Sequence, residues 1–166
     1  MASTEAIAAQ RLPALTPEVQ AQLQQLVVDS HWNQLPADWA QFFQLGTLYA
    51  VRDARGAITA SGAVLPMGAP TSPGPAVSWI SMILVTPAQR GQGLGRAVFA
   101  RCLAQVLAED RVPMLDATPQ GEALYAQFGF EPQWRFTRWR RAQHGAAPGA
   151  THKALPLADG IEPLLR

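Results

Sequence analysis

The chain begins with a weak strand pattern and then changes to helical spacing. Residues 4–12 predict a first strand of low β propensity. Residues 16–32 predict an amphipathic helix, because their apolar side chains recur at the intervals of one helix face, namely at Val19, Leu23, Leu26 and Val27. Thr16 suits the N-cap of this helix and Pro17 its first position. A second, short helix is predicted over residues 36–46.

The pattern becomes extended in the middle of the chain. Residues 47–53 and 57–68 predict two strands joined by a tight turn at 54–56, which is a hairpin signal. After a Pro/Gly/Ser loop at 69–75, residues 76–87 (AVSWISMILVTP) are almost continuously apolar. Such a run is expected of a strand that is buried on both faces.

Helices and strands alternate in the second half. A helix is predicted over residues 94–109, a strand over 111–119, a short helix over 120–130 and a strand over 130–141. Strand–helix–strand segments imply parallel pairing, whereas the hairpin before them implies antiparallel pairing. The sequence therefore predicts an α/β (α+β) fold with a mixed sheet, in the order β-α-α-β-β-β-α-β-α-β.

Composition narrows the class of protein. The chain has 166 residues, of which 48% are apolar and 15% charged, with a net charge of +1, so it fits one globular domain without a global attraction to nucleic acid or membrane. Cys102 is the only cysteine, which excludes an internal disulfide and gives no support for a metal site. We expect it to be a buried apolar residue. With no apolar run long enough to span a membrane and no signal-peptide pattern, we expect a cytoplasmic location.

One basic cluster stands out near the end of the predicted domain. Its arginines are Arg135, Arg138, Arg140 and Arg141, set among aromatic residues. A nucleic-acid-binding stripe is one interpretation. Alternate residues of a strand face opposite ways, which favours an amphipathic strand with one solvated face, and we expect no nucleic-acid partner.

The most informative segment is RGQGLGR, residues 90–96, placed where a predicted strand passes to a helix. Glycines there allow a ligand to approach the backbone, and the amide groups at a helix start bind phosphate oxygens. A Walker A loop is excluded because no Lys-Ser/Thr pair follows, and a dinucleotide fingerprint fits poorly because Arg96 occupies its third glycine position. A simple turn rarely needs three alternating glycines.

The same segment resembles the R/Q-x-x-G-x-G/A motif of the GNAT N-acetyltransferases, with Arg90, Gly93 and Gly95 at the fixed positions. The segment LYAQFGF, 124–130, resembles a second segment of that family. The resemblance covers about residues 5–141 and also extends to a bacterial subgroup in which a second acetyltransferase-like domain often follows. It implies a mainly antiparallel central sheet, a domain at 1–141, and a tail or linker at 142–166.

The resemblance implies that acetyl-CoA is the cosubstrate and that no metal takes part. The loop would bind the pyrophosphate, and the end of the preceding strand would pair with the pantetheine amides, giving as cofactor-binding residues Ile83, Leu84, Val85, Arg90, Gly91, Gln92, Gly93, Leu94, Gly95 and Arg96. The Val85 N–H is the expected donor to the developing oxyanion. Tyr125 matches the tyrosine that serves the family as general acid; its alternative role is that of a core aromatic.

The general base stays open. Many family members carry a glutamate in the strand before the loop, and residues 76–87 contain none. Ser81 is a candidate for binding a water, Asp116 a candidate carboxylate or a turn-forming group, and His31 a structural or substrate-facing residue. An acceptor that arrives with a lowered pKa would need no base.

The acceptor site is expected at the polar and aromatic segment 30–39 and at the hairpin strands. We assign acceptor binding to Trp32, Asn33, Trp79 and Asp116, with Trp39 and Phe42 nearby. Helix-on-sheet packing is the equal alternative for Trp32 and Trp39. Without an acidic cluster, a small amine or amino-acid-like acceptor is favoured over a polyamine or basic peptide.

The sequence thus predicts an acetyl-CoA-dependent N-acetyltransferase that acts on a small amine. The alternative is a non-catalytic CoA-binding or regulatory domain on the same scaffold, which the missing strand glutamate keeps open. Residues 154–166 are a candidate final strand, contributed to the same subunit or exchanged with a second copy to form a homodimer.

Overall fold

The computed structural model describes residues 7–68 and 74–137. The described elements follow the predicted order as far as the last helix: β1 (Gln10–Arg11), α1 (Pro17–Asp29), α2 (Pro36–Leu45), β2 (Thr47–Arg52), β3 (Ile58–Met67), β4 (Val77–Val85), a 3₁₀ turn (Pro87–Gln89), α3 (Leu94–Ala108), β5 (Val112–Met114) and α4 (Pro119–Ala126). The chain divides into two compact units, Met1–Phe130 and Glu131–Arg166. The predicted boundary at residue 141 stays a prediction.

The strands form one sheet in the order β1-β2-β3-β4-β5. The first four strands pair antiparallel with their neighbours, and β4 pairs with β5 in parallel. This confirms the mixed, mainly antiparallel sheet. The parallel pair requires a crossover, and α3 makes that connection between β4 and β5.

Local signals explain where the helices begin. The Thr16 hydroxyl accepts a hydrogen bond from the Val19 N–H at 3.3 Å, and Pro17 occupies the first turn of α1, as predicted. A second helix begins in the same way, since the Thr118 hydroxyl accepts from the Gly121 N–H at 3.3 Å at the start of α4. Each cap satisfies an N–H that a helix start leaves without an internal partner.

Two apolar clusters cover the two faces of the sheet. On one face, α1 and α2 pack through Leu23, Leu26 and Trp39 against strand residues that include Met82 and Leu84. On the other face, α3 packs against strand residues that include Ile80, with Phe99 fully buried among aromatics. Helices therefore pack on both faces of β3 and β4, as the apolar sequence of 76–87 predicts.

Three predicted strands are shorter than the sequence pattern suggests or absent from the described residues. The described part of the first strand pairs only over Gln10–Arg11, and 111–119 pairs only over Val112–Met114. The predicted strand at 130–141 is wrong over residues 130–137, which form no strand; residues 138–166 lie outside the described part. Alternating apolar and polar residues predict an extended segment, but a strand also requires a neighbouring strand to which its backbone can hydrogen-bond.

Candidate functional site

The strands β4 and β5 separate after a short paired stretch. Their register runs from Val77 opposite Val112 to Trp79 opposite Met114, and there the ladder ends. The remaining part of β4, from Ile80 to Val85, keeps its pairing with β3 on its other side. The described residues therefore provide no strand partner for the outer edge of this part of β4.

The direction of the backbone along β4 decides which groups face this open edge. The Thr86 N–H donates to the Thr59 carbonyl at 2.9 Å, so Thr86 faces β3. Amide groups alternate in direction along a strand, so the Val85 backbone faces the open edge. Arg90 confirms this direction, because its Nε donates to the Val85 carbonyl at 3.2 Å. By the same alternation, Ile83 also faces outward, whereas Leu84 pairs with Ser61 of β3.

The glycine loop connects this edge to α3. Gly91 and Gly93 have φ angles of 77° and 85°, in the left-handed region that favours glycine. Gly93 is the N-cap of α3 and has no side chain to cap it. The first amide groups of the helix, beginning at Leu94, therefore have no intrahelical partner and carry the positive end of the helix dipole. A Cβ added at Gly91 would meet nothing within 4 Å, so the loop is open beside its backbone.

The third glycine of the loop has a packing role. A Cβ added at Gly95 would lie 3.4 Å from Cγ2 of Val85. The first turn of α3 therefore packs closely against the end of β4, and glycine leaves room for this contact. The loop and the open strand edge are therefore adjacent. Together, a glycine-capped helix start and an unpaired strand edge fit a ligand that carries both phosphate groups and amides.

The two arginines beside the loop have different partners. Arg90 contacts the Val85 carbonyl and also donates through Nη2 to the Ser30 hydroxyl at 3.5 Å, at the end of α1. Arg96 donates through Nη1 to Oε1 of Gln127 at 2.6 Å, and its guanidinium carbon lies 4.8 Å from the centre of the Phe128 ring. Arg96 thus links the start of α3 to the end of α4, while Arg90 links the loop to β4 and to the segment after α1.

Tyr125 lies in the aromatic cluster on the α3 face. Its ring centre is 4.8 Å from that of Phe99 and 6.5 Å from that of Phe130. It packs on the same cluster as Ile83 and Val85, so the structure brings the predicted acid and the predicted oxyanion donor to one side of β4. Burial raises the pKa of the Tyr125 hydroxyl above its usual value, with a smaller contribution from Cys102. The hydroxyl therefore keeps its proton through the neutral range.

The residues predicted to bind the acceptor lie at two places. Trp32 and Asn33 are exposed in the segment between α1 and α2. Trp79 is half-buried on β4, and Asp116 is exposed between β5 and α4. Among the described residues, no hydrogen bond or ring contact joins Trp32 or Asn33 to Trp79 or Asp116, so their common pocket stays a prediction.

Ser81 occupies a distinctive place on β4. Ile80 packs on the α3 face, so strand alternation puts Ser81 on the face of α1 and α2, which it shares with Trp79. Its Oγ is buried, and no hydrogen-bond partner occurs within the described residues. A buried hydroxyl without a partner normally binds water or ligand.

His31 takes part in the end of α1. Its φ is 56°, and the chain closes with the His31 N–H donating to Val28 at 3.0 Å and the Trp32 N–H donating to Val27 at 3.0 Å. These two bonds form a Schellman motif with histidine at the position that glycine usually occupies. This geometry favours a structural role for His31. The bond to Val27 also fixes the backbone of Trp32 at the end of α1.

Burial indicates the roles of Trp39 and Cys102. Trp39 is fully buried against the sheet, so it packs rather than facing an acceptor. Cys102 is fully buried in α3, and burial raises the pKa of its thiol to about 12. Because the thiolate is the nucleophilic form, Cys102 is a packing residue, as predicted.

Several residues near the site gave no signal in the sequence. Ser61 donates from Oγ to the Met82 carbonyl at 2.9 Å, and Ser30 and Gln127 hold the two loop arginines. Serines and glutamines occur at many positions of any chain, and only the tertiary pairing makes these important.

Metal-binding clusters and membrane-spanning helices are absent from the described residues. Within 7–68 and 74–137, no group of three or more His, Cys, Asp or Glu is placed to bind a metal ion. In that part of the chain, no helix combines the length and apolarity needed to cross a bilayer. A cleft of about 530 Å³ lies between β1, α2 and β2, and Arg11, Phe43 and Thr47 are among its lining residues. No residue of the glycine loop lines this cleft.

Comparison with known protein families decides the classification. The model of the acetyltransferase (GNAT) domain matches residues 44–132, which include β4, the glycine loop, α3 and α4. The chain belongs to the GNAT acetyltransferase family. No curated protein matches the sequence. Membership of the GNAT family makes the glycine loop and the open edge of β4 the candidate site for an acetyl donor.

Solved structures agree with this fold. An acetyltransferase from Trypanosoma brucei is 20% identical with a TM-score of 0.65, and the match covers 81% of this chain and 99% of that one. Glucosamine-6-phosphate N-acetyltransferase from Arabidopsis thaliana is 14% identical with a TM-score of 0.64 over 81% and 99% of the two chains. A putative acetyltransferase from Agrobacterium tumefaciens is 20% identical with a TM-score of 0.63 over 81% and 100%. At these identities the likeness establishes the fold.

Proposed function

We propose that this protein transfers the acetyl group of acetyl-CoA directly to the amine of a small-molecule or amino-acid-like acceptor. The observation that carries the proposal is the glycine-capped start of α3 beside the unpaired outer edge of β4. The pyrophosphate of the donor would lie at the amides of residues 91–96. The pantetheine amides would pair along the edge at Ile83 and Val85, whose backbone faces outward.

The geometry supports a role for Arg90 in cosubstrate binding. Its Nε is held by the Val85 carbonyl, which leaves the guanidinium close to the loop and strand edge that would bind the donor. Arg96 is engaged with Gln127 and Phe128, so we assign it chiefly to placing α4 beside α3. Gln92 lies exposed in the middle of the loop and is available to phosphate oxygens.

The transfer step needs an oxyanion donor and a general acid from this chain. The acceptor nitrogen attacks the thioester carbonyl carbon, and the oxyanion that forms accepts a hydrogen bond from the Val85 N–H. When the carbon–sulfur bond breaks, the thiolate leaving group takes the proton of the Tyr125 hydroxyl. Solvent then returns a proton to Tyr125, and the acceptor nitrogen releases its own proton to water.

Proton removal from the acceptor is assigned to water at Ser81. The Ser81 hydroxyl is buried without a partner among the described residues, on the β4 face that also carries Trp79. A water bonded there would accept the proton from the acceptor amine and pass it to solvent. Asp116 is exposed and lies two residues before the N-cap Thr118, which makes it the weaker candidate for a base.

The nature of the acceptor is proposed from the surroundings of the site. Trp32 and Asn33 offer an exposed aromatic surface and an amide, and Trp79 adds a half-buried ring on β4. These groups suit a small polar amine.

We also propose a cytoplasmic location, which a single reduced cysteine supports, and a homodimer, which an exchanged C-terminal strand would form.

Turnover with a panel of amines tests the proposed function. The protein is incubated with acetyl-CoA and amino acids, amino sugars including glucosamine 6-phosphate, or polyamines, and released CoA is measured with a thiol reagent. We expect acceptor-dependent release with a small amine, and release that is slower by about 100-fold or more in Tyr125→Phe. Tight acetyl-CoA binding without turnover on any amine would favour the non-catalytic CoA-binding alternative.

A further inference from the structure

The strand β4 contains a β-bulge directly before the proposed cosubstrate edge. In the register with β3, Ala63 lies opposite Ser81 but Ser61 lies opposite Leu84, so β4 has one more residue than β3 between these pairs. Met82 adopts a φ of 56° within this segment. A buried, non-glycine residue in the left-handed region is costly and persists only where its surroundings fix it.

The side chain of Ser61 fixes the bulge. Its Oγ donates to the Met82 carbonyl at 2.9 Å, and both residues are almost fully buried. A bulge leaves an extra residue outside the regular ladder, so its carbonyl needs a partner from elsewhere. The Ser61 hydroxyl provides that partner from the neighbouring strand.

The bulge also determines which way the side chains and backbone groups of the following β4 residues point. Met82 packs on the face of α1 and α2, where strand alternation also puts Ser81, and Ile83 packs on the opposite face. Without the additional residue, the positions after it would reverse their faces and the directions of their backbone groups. The outward direction of the Val85 N–H therefore depends on the bulge.

We propose that Ser61 is a positioning residue for acetyl transfer. By holding the Met82 carbonyl, it maintains the bulge that aims the Val85 N–H and the Ile83 backbone at the cosubstrate edge. This inference rests on the proposed function, because it assigns Val85 to the oxyanion. Ser61 itself touches neither substrate, and its effect on the reaction passes through Met82.

The test compares two buried serines. Ser61→Ala removes the hydrogen bond at the bulge, whereas Ser78→Ala removes a hydroxyl that is equally buried and accepts from Nε of Arg111 at 2.7 Å, where β4 pairs with β5. We expect kcat to fall about 10- to 100-fold in Ser61→Ala, the effect of a small misplacement of a catalytic group, with little change in KM for the acceptor. Ser78→Ala should lose stability and keep its kcat.

An amide spectrum separates this inference from the proposed function. In ¹⁵N–¹H spectra of the free protein, Ser61→Ala should shift the Ile83 and Val85 amides and Ser78→Ala should leave them in place. If Ser61→Ala does not fold, Ser61→Cys retains the volume and a weak donor and should give smaller changes of the same kind. Equal kcat in the two alanine variants, or unmoved Ile83 and Val85 amides, would overturn the inference. If the wild-type protein shows no turnover at all, the proposed function fails, and the amide shifts still decide whether Ser61 holds the bulge.

Discussion

The guanidinium of Arg90 donates to the carbonyl oxygen of Val85 at 3.2 Å, and this bond joins the glycine loop to the open edge of β4. The same side chain reaches Ser30 at the end of α1 at 3.5 Å. One residue therefore connects three segments of the proposed site: the open edge of β4, the glycine loop and the segment that carries Trp32. Its removal should affect cosubstrate binding before it affects the fold, because Arg90 is exposed.

Arg90→Met should weaken acetyl-CoA binding. A hydrogen bond to a charged group contributes about 1.5–3 kcal/mol, so we expect Kd to rise about 10- to 100-fold in a calorimetric titration. Arg52→Met is the matched control, since Arg52 is an exposed arginine that donates to the Gly56 carbonyl in the β2–β3 hairpin. Equal affinity in wild type and Arg90→Met would remove Arg90 from the binding site.

Tyr125→Phe should lower kcat by about 100-fold or more, the contribution of a general acid, with acetyl-CoA binding retained. Burial raises the pKa of Tyr125, so the acid stays protonated as pH rises through the usual tyrosine range. Wild-type kcat should decline only above that range, and Tyr125→Phe should lack this decline. Tyr49→Phe is the control: it removes a bond from the Tyr49 hydroxyl to Gln105 at 2.9 Å and should affect stability alone. Wild-type kcat in Tyr125→Phe at every pH would refute the acid assignment.

Gly62→Ala should destabilise the fold. A Cβ at Gly62 would lie 2.9 Å from Cys102 Sγ and from Ile83 Cδ1, and closer still to Val98. Filling a packed core in this way costs about 1–3 kcal/mol, measurable by urea unfolding. Combining Gly62→Ala with Val98→Ala should restore part of the loss, because the two side chains compete for one space. Strictly additive effects would show that α3 does not approach β3 as described.

Alkaline pH should destabilise the protein through Cys102. Burial raises the pKa of its thiol from 9.0 to about 12, so the folded state favours the neutral thiol. Above about pH 9 the unfolded chain loses this proton more readily than the folded one, and the free energy of unfolding falls as pH rises toward 12. Urea unfolding from pH 8 upward should show a smaller decline in Cys102→Ala. Rapid reaction of the native thiol with a thiol reagent at neutral pH would contradict the burial that causes the shift.

The predictable part of this fold was encoded locally. Thr16 and Pro17 identify the start of α1, and the glycines of residues 91–95 identify the loop, because capping and left-handed backbone depend on residue type at one position. The bulge at Met82 could not be foreseen, since it exists only relative to the register of β3. The same reason explains the predicted strand at 130–141, whose alternation is present although residues 130–137 form no strand.

The site was predictable in its backbone and less so in its side chains. The motif located the glycine loop and the outward strand edge. The partner of Arg96, however, lies 31 residues away at Gln127, and one of the two partners of Arg90 lies 60 residues away at Ser30. Such pairs follow from how α3, α4 and α1 pack, which no short motif records. Residue type alone therefore predicts phosphate binding for both arginines. Their contacts differ, because Arg90 bonds the end of β4 and Arg96 bonds the end of α4.

Calorimetric titration of acetyl-CoA into the wild-type protein, Gln92→Glu and Gln92→Ala tests the central claim most directly. Gln92 is exposed in the middle of the glycine loop and its φ is not positive, so Gln92→Glu adds a negative charge beside the proposed pyrophosphate site without backbone strain. We expect micromolar binding by wild type, about −8 kcal/mol. Gln92→Ala should lose at most about tenfold, since a neutral hydrogen bond contributes about 0.5–1.5 kcal/mol, and Gln92→Glu should lose at least about tenfold more. No binding by the wild-type protein, or equal affinities for the Glu and Ala variants, would contradict binding of acetyl-CoA at this loop.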